Sequence, residues 1–358
     1  MRIAIVLAPN TTYSPDGASA VVLCAHDAGL YSRHRDDITV IAPQTNTPFS
    51  DLSYRPVPTD GGLHAYTKRV KRLLKDQPPD FVEVHQQVKC ASHIARQIAP
   101  LPVMLVKHSQ IKAPKGPVSR IRLSRRIAPL TQIAFVSQFA CDHFTAAYPR
   151  FVDRAAVAWN GLDTDLYPYA PQAKRKTILF AGRIIANKGA LDFAKAMRRT
   201  LPHYPDWNAV MIGQPDRGEE AYGEAVRAEI AALGPQGEWL GYRPYPDVMA
   251  HFQAAEIVVV PSKWDETFGR VALEAMVTGA ALIASRRGGL PEVGGEAATY
   301  LDAVTPDHIS SAVRALIENT PLRRTQQEAG RRRAVEKFDI RRTVACIDDL
   351  REAIVDRT

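Results

Sequence analysis

Cysteine is scarce in this 358-residue chain. Its four cysteines, Cys24, Cys90, Cys141 and Cys346, lie far apart and form no CxxC pair. That argues against a disulfide framework and fits reduced thiols in a cytosolic protein. Long apolar runs are missing too. No segment approaches the ~20 apolar residues that a membrane-crossing helix requires, so any membrane contact is expected to be peripheral. The apolar run Met1–Leu7 is short and meets Pro9 and Asn10 at once. It reads as a first strand, not a signal peptide. Glycine is sparse where a dinucleotide would need it: the loop 13–18 after that strand holds only Gly17. The missing GxGxxG counts against an NAD or FAD domain. His85 and His108 have no visible serine or cysteine partner, so a hydrolytic triad has no support. Internal repeats and low-complexity tracts are absent.

What remains is a globular composition, 46% hydrophobic and 23% charged. Its length suits two domains of ordinary size. The net charge of +8 points to anionic ligands or an anionic surface without choosing between them. Strands alternate with helical patterns from the start, the mark of βαβ units and a parallel sheet. Strands are expected at 3–7, 38–41, 81–84, 103–106 and 133–136, with a helix over 20–30. After a proline-containing linker, 167–176, a second set begins with strands at 177–181 and 210–213.

The chain is organised around residues 257–294. Ile257–Val260 is an unbroken β-branched run, as in a strand buried on both faces. A loop then presents Asp265 and Glu266, a helix starts near Phe268 and Gly269, and Gly279 stops it. Such a turn places unpaired amides and the positive end of a helix dipole at the carboxyl edge of a parallel sheet, where phosphates bind. Gly269 would let a diphosphate approach the backbone. Glu274 could accept hydrogen bonds from a ribose diol, with Glu266 nearer the group attached to the phosphates. Earlier in the same half, Arg183 offers a fork of donors and Lys188 a compact charge, together able to neutralise a diphosphate leaving group.

The stretch PSKWDETFGRVALEAMVTGAALIASRRGGLPEV resembles the E-x7-E signature of family 4 of the retaining, nucleotide-sugar-dependent glycosyltransferases. That resemblance implies an α/β GT-B fold: two Rossmann-like domains facing each other across a cleft, with the last helix crossing back to the first domain. The expected division is 1–167 plus 340–358 for the acceptor and 168–339 for the donor. It further implies that Arg183 and Lys188 hold the donor phosphates and that Glu266 bonds sugar hydroxyls. His108 would line the reaction centre, a role that a polar residue ending a parallel strand can fill. Gly17, Gly182, Gly213, Thr267, Phe268, Gly269 and Glu274 would line the donor site, and Tyr242 and Arg243 the base pocket. Asp163 and Asp165 spell DxD, which binds a metal in another glycosyltransferase fold. Here the pattern sits in an asparagine–glycine turn, and no metal or cofactor is expected.

Between Glu83 and Asp142 stand nine basic residues and no acidic one. The segment 107–126, with Val118, Ile121 and Leu123 interleaved, could rest on anionic lipid headgroups. It could equally receive a phosphorylated or lipid-linked acceptor, or be a solvated helix face. Nucleic acid fits poorly, because stacking aromatics are missing there. The expected partners are a UDP- or GDP-sugar and a glycan or lipid-linked acceptor, as in lipopolysaccharide or exopolysaccharide synthesis. A nucleotide-sugar epimerase or phosphorylase of the same fold, or a non-catalytic sugar-nucleotide binder, would share the phosphate clamp.

Overall fold

Runs of β-branched residues with no polar alternation become strands covered on both faces. Residues 1–357 are described by the computed structural model. They form two compact units, one comprising Met1–Gly161 and the chain from Ile340 onward, the other Leu162–Asp339. The first contains β1 (Ile3–Val6), α1 (Ala20–Leu30), β2 (Ile38–Pro43), β3 (Ser53–Val57), α2 (Gly62–Asp76), β4 (Phe81–His85) and α3 (Val88–Ile98). β5 (Val103–Lys107), α4 (Pro117–Ile127), β6 (Gln132–Phe135), α5 (Gln138–Ala147) and β7 (Ala155–Val157) complete its sheet.

The second unit begins with β8 (Arg175–Ala181), α6 (Ala190–Thr200), β9 (Asn208–Ile212), α7 (Glu220–Ala231), β10 (Gly237–Trp239) and α8 (Tyr245–Ala254). β11 (Ala255–Val260), α9 (Arg270–Val277), β12 (Ala281–Ser285), α10 (Leu290–Gly294), β13 (Ala298–Leu301), α11 (Pro306–Glu318) and α12 (Thr320–Phe338) follow. The last helix, α13 (Ile340–Val355), returns to the first unit. Residue 358 of the expected returning segment lies outside the described residues.

Both sheets are wholly parallel, ordered β3-β2-β1-β4-β5-β6-β7 and β10-β9-β8-β11-β12-β13. These are doubly wound orders, and each reverses direction beside its first strand, between β1 and β4 and between β8 and β11. Ligands of such sheets bind outside the carboxyl ends at that switch point. Alternate residues of β1 explain why both faces are covered. Ala4 and Val6 join a core with Val82 and Val84, whereas Ile3 and Ile5 join another that includes Ile347 and Ile354 of α13. Each unit is a Rossmann-like parallel α/β fold, the fold class expected from the sequence.

The units divide at Gly161/Leu162, not at 167/168. The Leu162 amide donates to the Phe338 carbonyl at 3.0 Å, and Thr164 Oγ1 donates to Asp339 Oδ2 at 2.6 Å. These bonds tie 162–167 to the end of α12, so the turn after Asn160 packs with the second unit. β3, β7, β10 and β13 were not foreseen. β3 is an edge strand with only Val57 buried; β7 and β10 are three residues long and β13 has only Leu301 buried, too little for an apolar period.

Candidate active site

In the second unit, functional side chains gather after β8 and β11, the two strands flanking the switch point. β11 ends at Val260, and the following loop carries Ser262, Trp264 and Glu266. Lys188 ends a helical turn after β8, and its Nζ reaches Glu266 Oε1 at 2.5 Å. Ser262 Oγ donates to the same oxygen at 2.5 Å. Burial pushes the Glu266 carboxyl up, but the charge of Lys188 and hydrogen bonds from Lys188, Ser262 and Trp264 outweigh it. The result is a carboxyl held below its ordinary value.

The indole of Trp264 sits beside both cations, with Lys188 Nζ 5.3 Å and Arg183 Cζ 5.8 Å from its centroid. Arg183 is exposed and bonds Asp216 at 2.7 Å. Three groups of opposite or complementary charge thus crowd one strand edge while remaining partly open to solvent. An arriving diphosphate could displace Asp216 from Arg183 and share Lys188 with Glu266, at the amino end of α9.

Gly269 caps α9 with a φ of 103°, and a Cβ there would lie 2.6 Å from a Leu290 methyl. Gly213 is more constrained: with φ at 132°, its Cβ would lie 1.8 Å from the Gly182 carbonyl oxygen. The two glycines after β8 and β9 therefore pack backbone against backbone, a structural demand that needs no ligand. The Phe268 ring is buried and meets Phe338 edge-on at 5.6 Å. It anchors the loop through packing. Tyr242 and Arg243 lie on an exposed turn after β10, where Arg243 Nη1 donates to the Tyr242 carbonyl at 2.9 Å.

Glu274 is not the open hydroxyl acceptor expected. It is 5% exposed, and Arg270 Nε meets its Oε1 at 3.0 Å while Arg270 Nη2 donates to Tyr245 Oη at 3.1 Å. Burial raises its carboxyl above the ordinary value, and Arg270 and Tyr245 offset this only in part. A ribose would have to share Glu274 with Arg270. Sequence reading missed Trp264, Arg270 and Tyr245. Arg270 was findable, because it stands one helical turn before Glu274, at pairing distance.

The first unit carries a different constellation at its own switch point. His85 ends β4 and His108 follows β5, with His85 Nδ1 2.9 Å from His108 Nε2 and the rings stacked at 5.2 Å. Behind them His85 Nε2 meets Glu83 Oε1 at 2.7 Å, and Arg351 Nε of α13 donates to Glu83 Oε2 at 2.9 Å. Glu83 and Arg351 are fully buried. Burial alone would raise Glu83; Arg351, then the bond from His85, reverse this and hold it down to about 2. Gly17 lies exposed in the loop after β1, at a φ of 86°.

Residues 166–333 match the family described as Glycosyl transferases group 1. The protein is a glycosyltransferase. The D-inositol 3-phosphate glycosyltransferase of Corynebacterium glutamicum (strain R) is 26% identical over 311 residues, 77% of this chain and 73% of that protein. The lipopolysaccharide core biosynthesis mannosyltransferase LpcC of Rhizobium leguminosarum bv. viciae is 28% identical over 168 residues, covering 46% and 47%. Among solved structures, Anabaena Alr3699/HepE in complex with UDP and glucose superposes with a TM-score of 0.80 at 19% identity. It covers 98% of this chain and 99% of that one, a likeness of fold. In this glycosyltransferase the matched segment contains Arg183, Lys188, Asp216, Trp264, Glu266, Arg270 and Glu274. His85, His108, Glu83 and Arg351 fall outside it.

One expectation about a charged segment changes. Lys107, placed in the basic surface segment, is buried; its Nζ donates to Gln86 Oε1 at 3.1 Å and Ser109 Oγ at 2.6 Å. It belongs to the interior below His108. The Asp165 amide bonds Asp163 Oδ1 at 3.0 Å, a local turn. Among the described residues, no group of three or more metal-ligating side chains occurs and no helix is long and apolar enough to cross a membrane.

Proposed function

We propose that the glycosyltransferase is a retaining enzyme of family 4 that moves a sugar from a UDP- or GDP-sugar to a hydroxyl of a glycan or lipid-linked acceptor. The observation that carries this reading is Lys188 bonded to Glu266, with Arg183 alongside, at the amino end of α9. Negative charge grows on the leaving diphosphate as the sugar departs. Preorganised cations and helix amides stabilise it, usually the largest single contribution to catalysis. Arg183, Lys188 and the 267–269 backbone supply them here, so the reaction needs no metal. Glu266 then bonds sugar hydroxyls, and the leaving phosphate takes the acceptor proton on the face from which it departs. The UDP named with the Anabaena structure and the lipopolysaccharide role named for LpcC support a nucleotide-sugar donor and an envelope-glycan acceptor.

Melting curves with UDP- and GDP-sugars test the donor, because a ligand bound to the native state raises Tm by mass action. The cognate donor should raise Tm in the wild type, and its turnover with added acceptor should survive EDTA. Donor consumption without transfer would favour the epimerase or phosphorylase reading; binding without turnover would favour a sensor. The cytoplasmic face of an anionic membrane is the proposed place of work. Val118 and Ile121 of α4 are exposed beside Arg120 and Arg122, as in an interfacial helix. Unchanged co-sedimentation with anionic vesicles after Val118→Ser and Ile121→Ser would remove α4 from that role.

A further inference from the structure

Glu266 is held by groups of two kinds. Lys188, from the turn after β8, brings a charge on a long side chain that keeps 20% of its surface open. Ser262 and Trp264, from the loop that carries Glu266 itself, bring neutral donors. Lys188 Nζ and Ser262 Oγ share one oxygen, Oε1, each at 2.5 Å. The indole N–H is the sole donor of a tryptophan side chain, so the bond from Trp264 comes from there.

The loop that supplies the neutral pair is pinned, whereas Lys188 can swing. Ser262 is 1% exposed, and its carbonyl accepts from Ser285 Oγ of β12 at 2.7 Å. Further along, the Glu266 carbonyl accepts from the Gly289 amide at 2.7 Å. A Cβ on Gly288 would lie 2.1 Å from that same carbonyl oxygen, so the chain after β12 packs directly on the Glu266 backbone.

This difference matters once an anion claims Lys188. Of the groups that hold the Glu266 carboxyl down against burial, Lys188 is the one cation. A diphosphate that draws it off Oε1 removes that charge and adds negative charge nearby, and both favour a proton on Glu266. A protonated carboxyl has a hydrogen to place and less capacity to accept from sugar hydroxyls. Of the three donors, Ser262 and Trp264 are then left to oppose it.

We propose that Ser262, assisted by the Trp264 N–H, is a positioning residue that keeps Glu266 a fixed carboxylate acceptor after Lys188 has turned to the donor diphosphate. This role rests on the reading above in which Lys188 meets phosphate.

Calorimetry first shows which of UDP, GDP and inorganic pyrophosphate binds. Carbon-13 NMR of protein labelled at glutamate Cδ then follows the titration, with Glu266→Gln locating the resonance. In the complex, Ser262→Ala should raise the Glu266 midpoint by about one to two pH units, the scale of one hydrogen bond to a charged group. Without ligand the same variant should raise it by less, because Lys188 still serves the same oxygen and bonds that share an atom do not add. Proton uptake on binding, read in buffers of different ionisation enthalpy, should grow in parallel. Ser262→Thr, which keeps the hydroxyl, should titrate like the wild type. Trp264→Phe keeps the ring and loses the N–H; it should move the bound midpoint the same way, and it decides the matter if Ser262→Ala does not fold. A bound midpoint unmoved by the alanine, or a shift equal with and without ligand, overturns the proposal. If none of the three probes binds, the phosphate clamp itself fails and this role with it; binding without the shift removes this role alone.

Discussion

The two sheets of this protein end in polar clusters at equivalent switch points, yet they are built for opposite conditions. In the first unit Glu83 and Arg351 are sealed and His85 nearly so. In the second, Lys188 and Glu266 keep 20% and 12% of their side-chain surface and Arg183 is half open. A sealed pair cannot exchange partners without leaving a charge buried. An open one can release Asp216 or share Lys188 when an anion arrives. Burial thus separates a group fixed in its geometry from a group open to exchange, although the residue types are nearly the same.

The sharpest way to break this contrast is to remove one cation from each cluster. Arg351→Ala leaves Glu83 buried with His85 as its remaining partner and should cost about 3–5 kcal/mol of stability, read by urea unfolding; a loss below about 1 kcal/mol would mean the cluster is not sealed. Lys188→Ala should lower kcat by about 10²–10³-fold, the scale of losing one oxyanion-type donor, with the fold intact by circular dichroism. Wild-type turnover by that variant would discredit the clamp.

Acid probes the first cluster without mutation. The Glu83 carboxyl is depressed from its ordinary 4.5 to about 2, so the stability it confers is present above about 4.5 and lost as pH falls toward about 2. Arg351→Ala should flatten that part of the stability–pH curve, and an unchanged curve would show that Glu83 is not its source. The smallest effect belongs to Asp216→Asn. The Arg183–Asp216 pair is exposed, and its loss should change stability by under about 1 kcal/mol. Donor affinity should hold or rise, because a competitor for Arg183 is gone; a large affinity loss would show Asp216 to be part of the site.

Much of this was legible in residue order. The helix Ala20–Leu30 and the last helix, Ile340–Val355, run as the sequence suggests, because their apolar spacing and flanking breakers are local signals. The loop after β11 was readable for the same reason: Ile257–Val260, Pro261 and Gly269 mark strand, stop and helix cap within one stretch. The enclosure of Phe268 and Glu274 was not legible, because residue type reports polarity and not surroundings. Phe268 faces Phe338, and Glu274 faces an arginine from its own helix.

Composition and periodicity were enough to establish two parallel α/β halves, since these depend on neighbours a few residues apart. The folded chain alone decided that Arg351 answers Glu83, 268 positions earlier. It alone decided that His85 stands between that pair and His108. Side chains so distant in sequence have no shared period to reveal them. Their pairing is imposed by the return of α13 to the first sheet and by the cost of leaving either charge buried alone.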